Sequence, residues 1–220
     1  MKHNRISSLL ILGILVTYLV IVSTNVYSVK TTSSQKVNKA NLMLNGLPTN
    51  KGHVSYQLIH EGMPNEDNAA AYHLIQQVMD SAVNYYNTYT TATKQITVHY
   101  LTDASVRADG NIYGNLRFGP NRTFMNVGTA VHEIGHTIGV GTSGKWLSFG
   151  TPGTEKGIYT FSGKKATNML RQITSDPKAL ITMDYQHFWP CGLNYATEYK
   201  SESDLINYCK IINAMMEDGL

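Results

Sequence analysis

The sequence predicts an α+β fold: a twisted mixed sheet with two helices packed on one face, one of them carrying a His-Glu-x-x-His motif, and a loop-rich C-terminal subdomain. Three observations predict it. Apolar residues alternate with period two in three short segments before residue 119. A long segment after the first of these, and another directly after the third, repeat with a period near 3.6. Beyond Gly139 the chain is mostly irregular. Strands and helices in that succession form a layered domain with a cleft between an upper sheet and a lower, loop-rich part.

Each element has its own signal. Val54, Tyr56 and Leu58 alternate in a strand over His53–His60. From Glu66 to about Thr88, Ala71, Leu74, Ile75, Val78, Ala82 and Tyr85 share one helical face. Ile96, Val98 and Tyr100 mark a second strand over Gln95–Leu101. Ile112, Leu116 and Phe118 mark a third over Asn111–Phe118, whose other face is polar. Gly119, Pro120 and Asn121 then turn the chain. In the next helix Ala130, Val131, Ile134 and Ile138 form the apolar face; Thr123, Asn126 or Thr129 can cap its start, and Gly139 and Gly141 suit its exit. A short helix is expected over Lys164–Thr174. A closing helix over Asp204–Met216 turns Leu205, Tyr208, Ile211, Ile212 and Met215 inward. No internal repeat is present.

Three regions divide the chain: residues 1–28, 29–52 and 53–220. Lys2 and Arg5 precede an apolar stretch from about Ile6 to Val22, and Val26 and Ser28 suit a cleavage site, so residues 1–28 read as a signal peptide. The alternative is an uncleaved membrane anchor, although the stretch is short against the roughly 20 residues a span needs. Either way the rest is exported: secreted, or anchored on the outer side of the membrane. Residues 29–52 are polar and read as a linker or mobile arm. The chain has 220 residues, enough for one domain with a sizeable core. Formal net charge is +3, two of it from Lys2 and Arg5, and no basic cluster follows, which excludes nucleic acid as an expected partner. Only Cys191 and Cys209 occur. They can form one disulfide in an oxidising compartment or remain buried thiols.

The chemistry is concentrated in His132, Glu133, Ile134, Gly135 and His136. Residues four apart lie on one helical face, so His132 and His136 can offer two imidazole nitrogens to one metal ion. Glu133, one residue along, can reach water rather than the metal. Two ligands, one general base and further coordination sites to be filled are the layout of a zinc hydrolase. Gly135 weakens the helix by about 1 kcal/mol relative to alanine, and a small residue there can admit another backbone.

With His132, Glu133, His136 and Gly139, the chain resembles the zincin metallopeptidases, and within them the metzincin group. The resemblance implies a zincin-like fold in which Gly139 ends the active-site helix. It also implies a methionine turn beneath the metal, matched by Ile181, Thr182, Met183, Asp184 and Tyr185. Asn111–Phe118 is placed like the family's edge strand, which pairs with an extended substrate. The third histidine of the family pattern falls on Thr142, a poor zinc ligand, so the third ligand comes from elsewhere or the site is defective.

His187 is the candidate third ligand, because Tyr185–Tyr195 combines aromatics, proline and glycine in a segment able to hold a side chain rigidly. Glu198 and Asp184 are the alternatives. His53, His60, His73 and His99 read as surface or packing residues. Tyr185 and Tyr195 can donate a hydrogen bond to a developing oxyanion or serve in packing.

The expectation is a secreted zinc-dependent endopeptidase acting on a protein or peptide, with Zn2+ on His132, His136 and His187 and Glu133 as general base to a metal-activated water. A membrane partner is expected only if the leader is uncleaved. The alternative is an exported zinc-binding or carbohydrate- or surface-binding module with little or no catalysis, motivated by Thr142 and by Tyr113, Trp146, Phe188 and Trp189 read as exposed aromatics. A third reading, an anchored structural protein with a chance motif, predicts no metal.

Overall fold

The parallel pairing of two strands across a long helix organises the first half of the domain. In the computed structural model, which describes residues 51–60 and 65–220, β1 (His53–Ile59) leads through α1 (Glu66–Tyr89) to β2 (Thr93–Tyr100). β1 and β2 pair in parallel, with Val54 opposite Lys94 and Leu58 opposite Val98. β4 (Asn115–Phe118) extends the sheet in parallel beside β2, and β3 (Ala108–Gly110) closes it antiparallel to β4, giving the order β1-β2-β4-β3. Val54, Ile96, Val98, Tyr100, Leu116 and Phe118 are buried on one face. Against that face pack α1 and the motif helix α2 (Val127–Ile138).

β3 corrects the sequence reading. Asn111–Phe118 is not one edge strand: Asn111–Gly114 forms a turn, closed by the Gly114 amide donating to the Asn111 carbonyl (2.9 Å). The strand after the turn lies inside the sheet, and the edge on this side belongs to Ala108–Gly110, with β1 at the other. An Asn-containing turn interrupted the alternation, and a segment of Ala, Asp and Gly carries no strand propensity to reveal it.

The second half is less irregular than predicted. β5 (Gly150–Pro152), β6 (Tyr159–Phe161), β7 (Thr182–Met183) and β8 (Phe188–Trp189) form a small antiparallel sheet in that order. Strands of two or three residues are too short to show a period. α3 spans Lys164–Thr174 as expected, and α4 spans Glu202–Glu217, starting two residues before the predicted closing helix at a Ser201–Asp204 capping box. The result is mixed α/β: among the described residues, four α-helices and two four-stranded sheets.

Three of the four aromatics read as exposed are not. Trp146 and Phe188 are each 1% exposed, and Trp189 is half-buried; of the four residues read as exposed, only Tyr113 stands fully in solvent. Cys191 and Cys209 are both free thiols. The signal segment 1–28 and all but the last two residues of the arm 29–52 lie outside the described residues. Among the described residues, no helix is long and apolar enough to cross a membrane.

Candidate metal centre

The motif helix is held from both sides by tyrosines. Tyr86 of α1 donates to the Val131 carbonyl (3.0 Å), and Tyr208 of α4 donates to the His132 carbonyl (3.2 Å). Gly135 leaves the space for the second contact: a Cβ there would lie 1.9 Å from the Tyr208 hydroxyl. The small residue therefore admits a side chain, not the backbone expected from sequence. Asn126 caps the helix by accepting from the Thr129 amide (2.9 Å), and Gly139 ends it.

His132 and His136 project from this helix into a nearly closed environment, each 8% exposed. His132 Nδ1 lies 2.8 Å from the Gly192 carbonyl, and His136 Nδ1 lies 2.8 Å from the Val140 carbonyl. A carbonyl only accepts, so each ring carries its proton on Nδ1, and each Nε2 presents a bare lone pair. The two Nε2 atoms face each other 3.1 Å apart. Neither holds a proton to share, so the pair is repulsive until a cation lies between them. Two nitrogens at 2.0–2.1 Å from one tetrahedral ion stand about 3.3 Å apart, close to this spacing.

His187 joins them from the far half of the chain. Its ring centroid lies 5.6 Å from that of His132 and 5.7 Å from that of His136. One ligand atom from each of the three lies within 4.8 Å of the others, near enough to hold one metal ion. His187 ends the β7–β8 hairpin loop, where Asp184 Oδ1 accepts from the Gln186 amide (2.7 Å) and the His187 amide (2.6 Å). Trp146 Nε1 donates to the Asp184 carbonyl (2.8 Å) and ties the loop to the core. Gly141 lets the hairpin approach: it has φ +64°, and a Cβ there would lie 2.2 Å from the Gln186 carbonyl oxygen.

The other proposed donors lie outside the three-histidine group, although Glu198 Oε2 is buried without a hydrogen-bond partner. Asp184 shapes the loop and is not part of the three-histidine group. Glu198 is outside it too and accepts a long bond from Asn194 Nδ2 (3.4 Å). Thr142, three residues after Gly139, donates to the His136 carbonyl and so caps the helix end. His53, His60 and His73 are exposed and His99 is half-buried, none in the group.

Glu133 lies between the two histidines in sequence, 7% exposed, with Oε2 4.0 Å from His136 Nε2. That oxygen is buried and has no hydrogen-bond partner. Without a cation, burial and then the Asp109 charge push its pKa up to about 8, against a smaller lowering by a bond from the Gly110 backbone. Burial, then the neighbouring His136, drives His132 down to about 3 and keeps it neutral. Burial also lowers His136.

Two cavities open on this group. One of about 540 Å3 is lined by His132, Glu133 and His187 together with Phe124, Leu193 and Tyr195. The other, about 170 Å3, reaches His132, Glu133, His136 and His187 from the side of Thr142 and Gln186. Ala108 of the free edge strand lines both. Tyr185 lines neither and packs on Tyr159, ring centroids 6.1 Å apart. Sequence reasoning missed the Gly192 carbonyl, the two supporting tyrosines, and an Asp109–Arg117 pair (2.6 Å) that pins the edge strand to β4.

Compared with known proteins, the chain matches no family model, no curated protein and no solved structure.

Proposed function

We propose that this chain is a metal-dependent endopeptidase with a zincin-like active site, in which His132, His136 and His187 hold one zinc ion. The observation that carries this reading is the pair of bare Nε2 atoms 3.1 Å apart, both tautomers fixed by carbonyls and a third histidine within reach. Three neutral imidazoles are a donor set that suits zinc and leave a fourth position for water or substrate. When bound, the ion supplies Lewis-acid polarisation of a carbonyl and lowers the pKa of its water toward about 7.

The remaining roles fall to the chain's own atoms. Glu133 Oε2, otherwise orphaned, takes a proton from the attacking water and returns it to the departing amine. The outer edge of β3 at Ala108, which lines both cavities, offers backbone groups to an extended peptide by strand addition, which favours a polypeptide substrate. Two cavities that meet at the histidines leave room for substrate beyond the metal in more than one direction, which favours internal cleavage. Tyr195, which lines the larger cavity, is the better-supported donor to the carbonyl oxygen than Tyr185. The leader expected at residues 1–28 makes the enzyme an exported one. The test is a peptidase assay on mixed peptides with zinc, with chelator, and with Glu133→Ala. Activity abolished by chelator and by the substitution, with zinc content unchanged in Glu133→Ala, is the expected result; full activity in that variant refutes the proposal.

A further inference from the structure

A third depression, of about 280 Å3, lies where the C-terminal half of α1 meets the starts of α2 and α4. Tyr85, Tyr89, Tyr199 and Glu202 line it, with the exposed Asn84 and Thr88. The Tyr85 and Tyr89 rings are nearly parallel, 20° apart with centroids separated by 6.2 Å. Tyr85 donates to Glu202 Oε1 (3.0 Å), which fixes ring and carboxylate together.

Charge selects the ligand class. No lysine or arginine lines the depression, and Glu202 disfavours an anion. Val127 and Glu202 are the first residues of α2 and α4, so two helix N-termini border it, and their partial positive charges offset the single Glu202 carboxylate and leave no net charge for an ion to pair with. What suits it is a neutral ligand with one flat apolar face and several hydroxyls. Aromatic faces take the C–H side of such a ring, and the carboxylate, amide and hydroxyls take its donors and acceptors. The volume is at the low end for small-molecule sites, which fits one ring.

The depression adjoins the metal cleft. Tyr199 lines both cavities, and a Cβ on Gly128, at the start of α2, would lie 2.9 Å from the Tyr199 ring. We infer that this depression binds a single neutral sugar unit and, resting on the peptidase reading above, that the substrate class is a polypeptide carrying that sugar near the bond to be cut.

The test separates the two parts. Metal-free protein is titrated with glucose, galactose, mannose, N-acetylglucosamine and N-acetylgalactosamine, following tyrosine ring resonances by NMR. At least one sugar is expected to bind, and Thr88→Arg, a change at an exposed helix position, is expected to weaken it at least tenfold with the fold unchanged. Matched peptides with and without the binding sugar are then compared with zinc present. The sugar-bearing peptide is expected to show kcat/KM at least tenfold higher, an advantage lost in Thr88→Arg while cleavage of the bare peptide is unchanged. No sugar binding, binding indifferent to Thr88→Arg, binding of trimethyllysine or arginine instead, or equal cleavage of the two peptides overturns the inference. Sugar binding that responds to Thr88→Arg, with neither peptide cut, upholds the sugar site and removes the peptidase reading.

Discussion

Glu133 is a buried carboxylate whose local field changes sign with metal occupancy, and its consequences divide accordingly. On the proposed mechanism, Glu133→Gln is expected to keep the ion and to lose about 10²–10⁴-fold in kcat, the usual range for a general base, as read in steady-state assays at matched zinc content. Without metal, its folded pKa of about 8 stands above the ordinary 4.5. The folded state then holds a proton that the unfolded state releases. Its contribution is complete below pH 4.5 and is lost as pH rises through 8. Urea denaturation of the metal-free protein is expected to show a loss of stability over that window that Glu133→Gln lacks. His132 acts at the other end: held neutral to about pH 3, it costs stability as pH falls below its ordinary 6.5. His132, Glu133 and His136 were legible in the sequence because one helical turn fixes their relation. His187 was legible only as a histidine in a segment of special residues. Its proximity depends on a hairpin, on Trp146 and on the space at Gly141.

The elements fit through two glycines, and each gives a distinct expectation. Gly135→Ala would ordinarily strengthen a helix by about 1 kcal/mol. Here the new Cβ meets the Tyr208 hydroxyl, so the variant is expected to be less stable by about 1–3 kcal/mol, the usual cost of overpacking, with partial recovery in Gly135→Ala/Tyr208→Phe by chemical denaturation. Gly141→Ala pushes instead on the backbone of the His187 loop. It is expected to cost about 10–100-fold in zinc affinity, the range for groups that orient ligands, measured by competition with a chromophoric chelator. At this scale the sequence was readable wherever elements were long. α1, α3 and the first two strands fall within two residues of their expected bounds. The edge strand and the second sheet were not readable, because strands of two to four residues carry no period and are stabilised by their neighbours.

At the scale of the molecule, the three histidines join the motif helix to the small C-terminal sheet, so a metal ion there ties two layers of the domain. Zinc at a hundred times its dissociation constant is expected to add about 2.7 kcal/mol of stability, raising Tm by roughly 5–10 °C, and chelator is expected to reverse it. Acidification below about pH 5 is expected to release the ion as protons compete for the imidazoles, read as zinc content after dialysis. The mixed α/β class and a cleft between layers were legible from the order of periodic segments, whereas the residues that line its two cavities depended on the packing of segments distant in sequence. Three ring nitrogens carry the proposed chemistry. A zinc-soaked crystal, with anomalous scattering recorded at the zinc edge, tests them most directly. The expected result is one full-occupancy ion per chain, held by Nε2 of His132 and of His136 and by a ring nitrogen of His187. An ion bound elsewhere, or none beside those rings, contradicts the account.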